Sequence, residues 1–118
     1  MITLYGIPNC DTVRKARRWL DGHSIDYQFH DFREQGLDED TVSTWLDELG
    51  WETVVNRRST TWKQLDPATR ESMDRATALR CILEHPTLVK RPVLDTGHDR
   101  HLGFSETQYQ ELFTQHTL

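Results

Sequence analysis

The stretch Tyr5-Gly6-Ile7-Pro8-Asn9-Cys10-Asp11-Thr12 decides the fold, because a strand ends and a helix begins within it. The run Ile2-Thr3-Leu4-Tyr5 is β-branched and aromatic, which predicts a strand, and the Gly-Ile-Pro-Asn segment breaks it. Apolar residues then recur at helical spacing until Gly22, which predicts a helix over about 11–21. A cysteine therefore stands at the junction of a strand and a helix.

Working outward, residues 25–32 alternate apolar and polar side chains, as a half-buried strand does. The opening is thus a strand–helix–strand unit, with parallel strands and a right-handed crossover. Helical patterns fill about residues 36–85, with Asp38 as a start signal and Pro86 as the stop. Within this block we expect a connecting stretch over 51–61 and a short turn over 62–65.

The end of the sequence returns to strands, predicted over 88–94 and 100–104. Ser105 and Gln108 form a capping box for a final helix. The element order predicts one α/β domain over 1–118, with a mixed four-stranded sheet and a helical insertion at about 36–85.

Composition excludes several classes of protein. The net charge of −5 argues against a nucleic-acid partner, and the one dense basic cluster (Arg14, Lys15, Arg17 and Arg18) is interpreted as the solvated side of a helix. No apolar run approaches the ~20 residues of a membrane span. The first residues do not resemble a signal peptide, and the two cysteines do not suggest a disulfide scaffold. We expect a cytoplasmic monomer.

Cys10 is the candidate nucleophile. Unpaired N–H groups at a helix start stabilise an anion, and thiolate is the reactive form of cysteine. The neighbouring Asp11 carboxylate opposes this effect by charge repulsion. Val13 stands where a dithiol oxidoreductase has its second cysteine, so an external thiol must resolve Cys10: glutathione, a glutaredoxin or a thioredoxin. Cys81 lies on a helical pattern and is interpreted as buried and inert.

Three segments resemble the arsenate reductase (ArsC) family, and more closely its YffB-type branch, to which the Spx regulators are related. They are residues 5–12, the stretch 56–62 (Asn-Arg-Arg-Ser-Thr-Thr-Trp), and Lys90-Arg91-Pro92 followed by residues 102–105. The resemblance covers essentially the whole chain and implies a thioredoxin-like fold with a helical insertion.

The resemblance implies that Cys10 is the nucleophile and that Arg58 and Arg91 surround its thiolate, with Arg57 as the alternative to Arg58. A guanidinium can stabilise a thiolate and hold an anionic substrate in a bidentate fork. Pro92 matches a proline that is cis in thioredoxin-like folds, which would turn the Arg91 backbone toward Cys10 for pairing with an extended peptide such as glutathione. The remaining candidate substrate-binding residues are Asn9, Thr12 and Trp62.

The leading hypothesis is a glutathione-dependent thiol–disulfide reductase without a tightly bound cofactor. The resemblance also raises two alternatives, an arsenate reductase and a non-catalytic regulator that binds RNA polymerase like Spx. The segment 102–105 lacks the further arginine of the arsenate reductases, and Val13 removes the Cys-x-x-Cys switch of the oxidation-sensing regulators. No metal site is expected, because His98 and His101 form the only close histidine pair and no further ligands complete it.

Overall fold

The computed structural model describes residues 1–116, and the chain divides into two compact units. The first comprises Met1–His30 and the chain from Arg91 onward, and the second comprises Asp31–Lys90. The helical block expected at about 36–85 falls within the second unit. That the whole chain forms a single domain stays a prediction.

Four strands form one sheet in the order β2-β1-β3-β4. They are β1 (Thr3–Gly6), β2 (Gln28–Asp31), β3 (Val93–Asp95) and β4 (Arg100–Leu102). β3 lies antiparallel to both β1 and β4. The predicted mixed α/β architecture, with strands from both ends of the sequence in one sheet, is confirmed.

Two helices of the first unit, α1 (Asp11–Gly22) and α8 (Glu106–His116), contribute to the core that includes the central strands. This core contains six buried residues: Leu4, Ala16, Trp19, Leu20, Leu94 and Tyr109. α1 buries one apolar face, as its sequence spacing predicts. The Oγ of Ser105 accepts a hydrogen bond from the Gln108 backbone N–H at 3.1 Å, which fixes the start of α8 at the predicted cap.

The second unit is helical. Its elements are α2 (Phe32–Gln35), α3 (Glu39–Leu49), α4 (Trp51–Val54), α5 (Thr60–Gln64), α6 (Pro67–Glu71), α7 (Arg75–Glu84) and a 3₁₀ turn at Pro86–Leu88. α3 packs against α4 and α7. The buried face of α3 consists of Val42, Trp45 and Leu46, which follow the helical period of its sequence.

Side-chain caps fix where the helices of this unit begin. Asp38 accepts a hydrogen bond from the Thr41 N–H at 2.7 Å, and Asp74 accepts one from the Thr77 N–H at 2.8 Å. Each cap satisfies a backbone donor that has no partner within the helix. Asp38 was predicted as a start signal. Helix α6 begins at Pro67, and Asp66 before it makes no capping hydrogen bond with its side chain.

Three predicted strands are too long. The one expected over 100–104 ends at Leu102. The strand expected over 25–32 is reduced to β2, because the Asp31 carboxylate accepts the Arg33 N–H at 3.0 Å and starts α2, which buries Phe32. The strand expected over 88–94 begins only at Val93. Its first part lies in the 3₁₀ turn and in an isolated bridge between Val55 and Val89.

The region 51–65 also differs from the prediction. The expected connecting stretch contains α4, and the expected turn is the helix α5, which starts where the Ser59 Oγ accepts the Trp62 N–H at 3.0 Å. These helices are too short to show a period in the sequence. No helix within residues 1–116 combines the length and the apolar character that crossing a membrane requires.

Candidate active site

Cys10 is the N-cap residue of α1. Its backbone is extended (φ −110°, ψ 125°), and its carbonyl accepts the Arg14 N–H at 2.9 Å as the first hydrogen bond of the helix. The residue is partly exposed and makes no side-chain capping hydrogen bond. The thiol therefore stands at the positive end of a helix, where solutes can reach it.

A close approach of β1 and α1 sets the path of the loop that carries Cys10. A Cβ atom placed on Gly6 would lie 2.8 Å from Cγ2 of Val13, nearer than such atoms come. Only glycine fits at this point without displacing the helix. Ile7 is buried immediately after it, so the loop is anchored before it reaches the cysteine.

Arg14 offsets the negative charge beside Cys10. Its guanidinium forms an ion pair with the Asp11 carboxylate and points its other terminal nitrogen toward the Pro8 carbonyl at 3.5 Å. The hydrogen bond and the charge of Arg14 lower the pKa of Asp11 below its ordinary value. The repulsion expected from Asp11 is thus partly neutralised within the same helical turn.

Arg91 and Pro92 lie at the same end of the sheet as the Cys10 loop. Tyr5 of β1 is paired with Val93 of β3 in antiparallel register. Chain continuity then places the residues after Tyr5 and those before Val93 at the same end of these two paired strands. The Arg91–Pro92 peptide bond is cis, as the resemblance implied, and the Pro92 carbonyl accepts the Gly103 N–H at 2.9 Å.

The two candidate arginines of the second unit follow a fixed turn. The Asn56 side-chain oxygen accepts the Arg58 backbone N–H at 3.0 Å, and the Asn56 carbonyl accepts the Ser59 hydroxyl at 2.7 Å. Backbone hydrogen bonds from Asn56 to the Leu88 carbonyl and from Lys90 to the Val54 carbonyl hold this segment beside the chain that leads to Arg91.

A surface pocket of about 630 Å³, here named the Arg57–Arg58 pocket, opens in this unit. Its lining residues are Glu52, Thr53, Val55, Asn56, Arg57, Arg58 and Lys90. Two guanidinium groups and one ammonium group thus share one concave surface with a single carboxylate. Such a surface attracts an anionic group, and each arginine can bind a carboxylate through two hydrogen bonds.

Two tryptophans lie beside Arg57. The guanidinium carbon is 5.2 Å from the ring centroid of Trp51 and 5.9 Å from that of Trp62, both within cation–π range. Both rings are half-buried. Trp62, a candidate substrate-binding residue from the sequence, contacts Arg57 but is not one of the residues that line the pocket.

The predicted site residues thus fall into two groups. Asn9, Cys10, Thr12, Arg91 and Pro92 belong to the first unit, and Arg57, Arg58 and Trp62 belong to the second. The implied approach of Arg58 to Cys10 joins residues of different units and stays a prediction. The choice between Arg57 and Arg58 as its partner also stays open.

Sequence reasoning did not identify Lys90, Trp51 or Asn56 as part of this surface. Lys90 enters the pocket because the Val55–Val89 bridge aligns two distant segments, which local sequence does not indicate. The one available signal was Asn56, since an asparagine two residues before Arg58 is typical of a turn closed by its side chain.

The second cysteine has the predicted character. Cys81 lies on the buried face of α7 with only 4% of its surface exposed. Burial raises the pKa of its thiol, so it remains protonated and unreactive near neutral pH. Among the side chains of residues 1–114, no group of three or more histidine, cysteine, aspartate or glutamate residues is arranged to hold a metal ion.

The sequence matches the family model described as "ArsC family" over residues 5–112. The chain belongs to the ArsC family. An uncharacterized protein of Haemophilus influenzae is 46% identical over 113 residues, covering 96% of this chain and 99% of that protein. The global transcriptional regulator Spx of Bacillus subtilis is 32% identical over 110 residues, covering 92% of this chain and 83% of Spx.

Solved structures of related proteins have the same fold. The YffB (PA3664) protein superimposes with a TM-score of 0.91 at 42% identity, covering 94% of this chain and 97% of that one. An arsenate reductase (ArsC) related protein of Brucella melitensis gives a TM-score of 0.77 at 44% identity, covering 95% and 93%. The thioredoxin-like fold expected for an ArsC-family chain is therefore confirmed.

Proposed function

We propose that this ArsC-family protein is a thiol–disulfide reductase that uses Cys10 as its single nucleophile and glutathione as co-substrate. The observation that carries the proposal is the contrast between its two cysteines. Cys10 is partly exposed at the start of α1, whereas Cys81 lies on the buried face of α7. Val13 occupies the position of a resolving cysteine, so the cycle requires an external thiol.

The reaction balances with glutathione as the reductant. The Cys10 thiolate attacks the glutathione sulfur of a mixed disulfide, a Cys10–glutathione disulfide forms, and the substrate leaves as a thiolate that takes up a proton. A second glutathione thiolate attacks the glutathione sulfur bound to Cys10, which releases glutathione disulfide and regenerates the Cys10 thiolate. The net reaction transfers two electrons from glutathione to the substrate sulfur.

The remaining candidate residues bind and orient the tripeptide in this proposal. Arg91 and the backbone at Pro92 hold its extended chain at the end of the sheet where the Cys10 loop leaves β1. Arg58, with Arg57 as the alternative, binds a carboxylate of glutathione, and the concentration of positive charge in the Arg57–Arg58 pocket supports this role. Asn9, Thr12 and Trp62 contribute contacts around the bound substrate.

The first test is the intact mass of the reduced protein after incubation with glutathione disulfide near neutral pH. Wild type and Cys81→Ser should each gain one glutathione, reversibly with added thiol, and Cys10→Ser should gain none. A modification that persists in Cys10→Ser and disappears in Cys81→Ser would refute the assignment of the nucleophile.

The second test separates carboxylate binding from thiol chemistry. Turnover of a glutathionylated peptide is measured with glutathione and with its diethyl ester, which keeps the thiol but lacks both carboxylates. Arg58→Ala should raise KM for glutathione and leave KM for the ester unchanged, and Arg57→Ala shows which arginine matters more. Arg33→Ala, an exposed arginine of α2, is the matched control. Equal effects on both thiols would contradict carboxylate recognition.

The proposal places the protein in the cytoplasm, where the glutathione pool is kept reduced. It works there as a monomer, without a tightly bound cofactor and without nucleic acid. A glutaredoxin or a thioredoxin is the alternative resolving thiol. Reduction of the Cys10–glutathione disulfide by each of these proteins, compared with glutathione at equal thiol concentration, identifies the reductant.

Arsenate reduction is a second candidate, favoured by the 44% identity to the arsenate reductase (ArsC) related protein of Brucella melitensis. The ionic contact between Arg100 and Asp95 opposes it. Arg100 is the arginine nearest in sequence to the segment 102–105, and its Nε lies 3.4 Å from the Asp95 carboxylate. Arsenate turnover with glutathione and glutaredoxin that Cys10→Ser abolishes would establish this activity.

A regulatory role is the third candidate, favoured by the 32% identity to the global transcriptional regulator Spx of Bacillus subtilis. In this case the chain would bind RNA polymerase, and Cys10 would not turn over a substrate. A pull-down with purified RNA polymerase tests it. Binding that survives Cys10→Ser would support this role, and an empty result would remove it.

A further inference from the structure

Helix α1 carries a basic face on an otherwise acidic protein. Four of the chain's 14 lysine and arginine residues lie in this one segment, while the net charge of the chain is −5. We name as the basic face of α1 the residues Arg14, Lys15, Arg17 and Arg18. Arg14, Lys15 and Arg18 are exposed, and Arg17 is half-buried at the border of the helix's apolar face.

Two residues of the basic face keep their charges available. Lys15 and Arg18 are exposed, and with the side chains of residues 1–114 they form neither a hydrogen bond nor an ion pair. Asp11 lies four residues before Lys15 and Asp21 three residues after Arg18, and both cations act on the Asp11 carboxylate through their charge without an ion-pair contact. The charge here is directed outward to solvent.

The other two residues are held in place. The Arg17 guanidinium lies 4.1 Å above the Phe29 ring centroid, and its Nε donates to the Tyr27 hydroxyl at 3.3 Å. Arg14 is already engaged by its ion pair with the Asp11 carboxylate and contributes little uncompensated charge. A guanidinium that is already fixed loses little side-chain entropy when it binds a carboxylate. The basic face thus combines one preorganised arginine, Arg17, with two exposed cations, Lys15 and Arg18.

The position of the face relative to Cys10 suggests its use. With a rise of about 1.5 Å per residue, Arg14 lies about 6 Å and Arg18 about 12 Å along the helix axis from Cys10. An extended peptide covers about 3.3 Å per residue. Side chains about two to four residues from a disulfide cysteine held at Cys10 would therefore reach the basic face.

We propose that the basic face of α1 is a docking surface for an acidic protein segment that carries the disulfide attacked by Cys10. The inference rests on the proposed function and adds the class of its substrate: a glutathionylated protein with aspartate or glutamate near the modified cysteine. A polyanion such as nucleic acid fits less well, because the remainder of the chain is strongly acidic and repels it.

The test compares two peptides of equal length, each with a central cysteine in a mixed disulfide with glutathione. One carries glutamates two to four residues from the cysteine, and the other carries lysines. Stopped flow gives the second-order rate constant for transfer of glutathione to Cys10. For wild type we expect the acidic peptide to react about tenfold faster at low ionic strength. At 1 M salt the difference should fall below about twofold.

The variant Lys15→Glu/Arg18→Glu should abolish this preference. Arg33→Glu/Arg80→Glu is the matched control, because it makes the same change in net charge with two exposed arginines of the second unit and should keep the preference. Circular dichroism confirms that each variant is folded. Neither pair of residues belongs to the proposed catalytic machinery.

The outcomes are distinguishable. Equal rates for the two wild-type peptides, or equal loss of preference in both variants, would overturn the docking surface and leave the proposed function standing. Failure of wild type to react with either peptide would overturn the proposed function itself. Equal peptide rates together with labelled duplex DNA that binds wild type and not Lys15→Glu/Arg18→Glu would assign the face to a polyanion instead.

Discussion

Gly6 and Val13 approach so closely that a Cβ on Gly6 would lie 2.8 Å from Val13 Cγ2 and 3.1 Å from its Cγ1. Gly6→Ala should therefore lower the free energy of unfolding by about 1–3 kcal/mol through overpacking. Urea denaturation measures the change. The double variant Gly6→Ala/Val13→Ala should lose less than the sum of the two single variants, because removal of the valine methyl groups relieves the contact.

The control for this substitution is Gly22→Ala at the end of the same helix. A Cβ on Gly22 meets no atom within 4 Å, so alanine there should be neutral or should stabilise by about 0.5–1 kcal/mol. A loss at position 22 equal to that at position 6 would show that the close approach is not the cause.

The hydroxyl of Tyr109 yields a second prediction. Tyr109 is fully buried among aromatic rings, including Phe104 at 4.7 Å and Trp19 at 5.5 Å between ring centroids. Its hydroxyl has no hydrogen-bond partner among the side chains of residues 1–114. Burial raises its pKa, so the group stays neutral. Tyr109→Phe removes an unsatisfied polar group and should raise the free energy of unfolding by about 1–2 kcal/mol.

Thermal and urea unfolding of Tyr109→Phe and Tyr109→Leu separate the hydroxyl from the ring. The leucine variant keeps an apolar side chain but loses the edge-to-face ring contacts, and it should be less stable than wild type. If Tyr109→Phe proved destabilising by more than about 1 kcal/mol, the hydroxyl would have a partner that stabilises the fold.

The pair Asp11–Arg14 should control the reactivity of Cys10. In Arg14→Ala the Asp11 carboxylate loses its partner and stands as an uncompensated negative charge beside the attacking sulfur. Alkylation by iodoacetamide at pH 7 should slow by about two- to fivefold, the range of an exposed charge pair. The rate is followed by mass spectrometry in a Cys81→Ser background.

Asp11→Asn provides the converse variant and should alkylate at least as fast as wild type. Asp11→Asn/Arg14→Ala should recover most of the rate lost in Arg14→Ala, and the differences should shrink at high salt. Equal slowing in Arg14→Ala and in the double variant would mean that Arg14 acts by some means other than offsetting Asp11.

Asp74 should make a pH-dependent contribution to stability. The hydrogen bonds that it accepts from Thr77 at the start of α7 lower its pKa from the ordinary value of 3.8. A carboxyl with a depressed folded-state pKa stabilises the fold above its unfolded pKa, and this contribution is lost as pH falls through the folded pKa. Wild type should therefore exceed Asp74→Asn in unfolding free energy at pH 6, and the difference should shrink below about pH 4.

Urea titrations at pH 6, 5, 4 and 3 measure that difference. Asp66→Asn is the matched control, because Asp66 starts α6 without a side-chain capping hydrogen bond. A gap for Asp74→Asn that stays constant between pH 6 and pH 3 would contradict the assignment of the effect to its carboxylate.

The features predicted well are those that neighbouring residues determine. The start of α1 at Asp11 and the cap at Asp38 depend on side chains within one helical turn. The position of Cys10 follows from the same local signals. The final helix was predicted to begin after Ser105, and no end was assigned to it. Residues 117 and 118 lie outside the described part of the chain.

The features predicted poorly depend on partners distant in sequence. The start of β3 at Val93 is fixed by its register with Tyr5, and the Val55–Val89 bridge brings Lys90 into the Arg57–Arg58 pocket. Local alternation of side chains cannot show where such a pairing begins. The short helices α4 and α5 were missed because each contains too few residues to display a period.

The order of strands in the sheet has a consequence for synthesis of the chain. β1 is translated before the stretch Asp31–Lys90, whereas its antiparallel partner β3 is translated only after the whole of it. The helical unit is therefore complete in sequence, and able to begin packing, while one edge of β1 still has no partner. The nascent chain can therefore complete its sheet only after the whole helical unit has been made, when β3 and then β4 are translated.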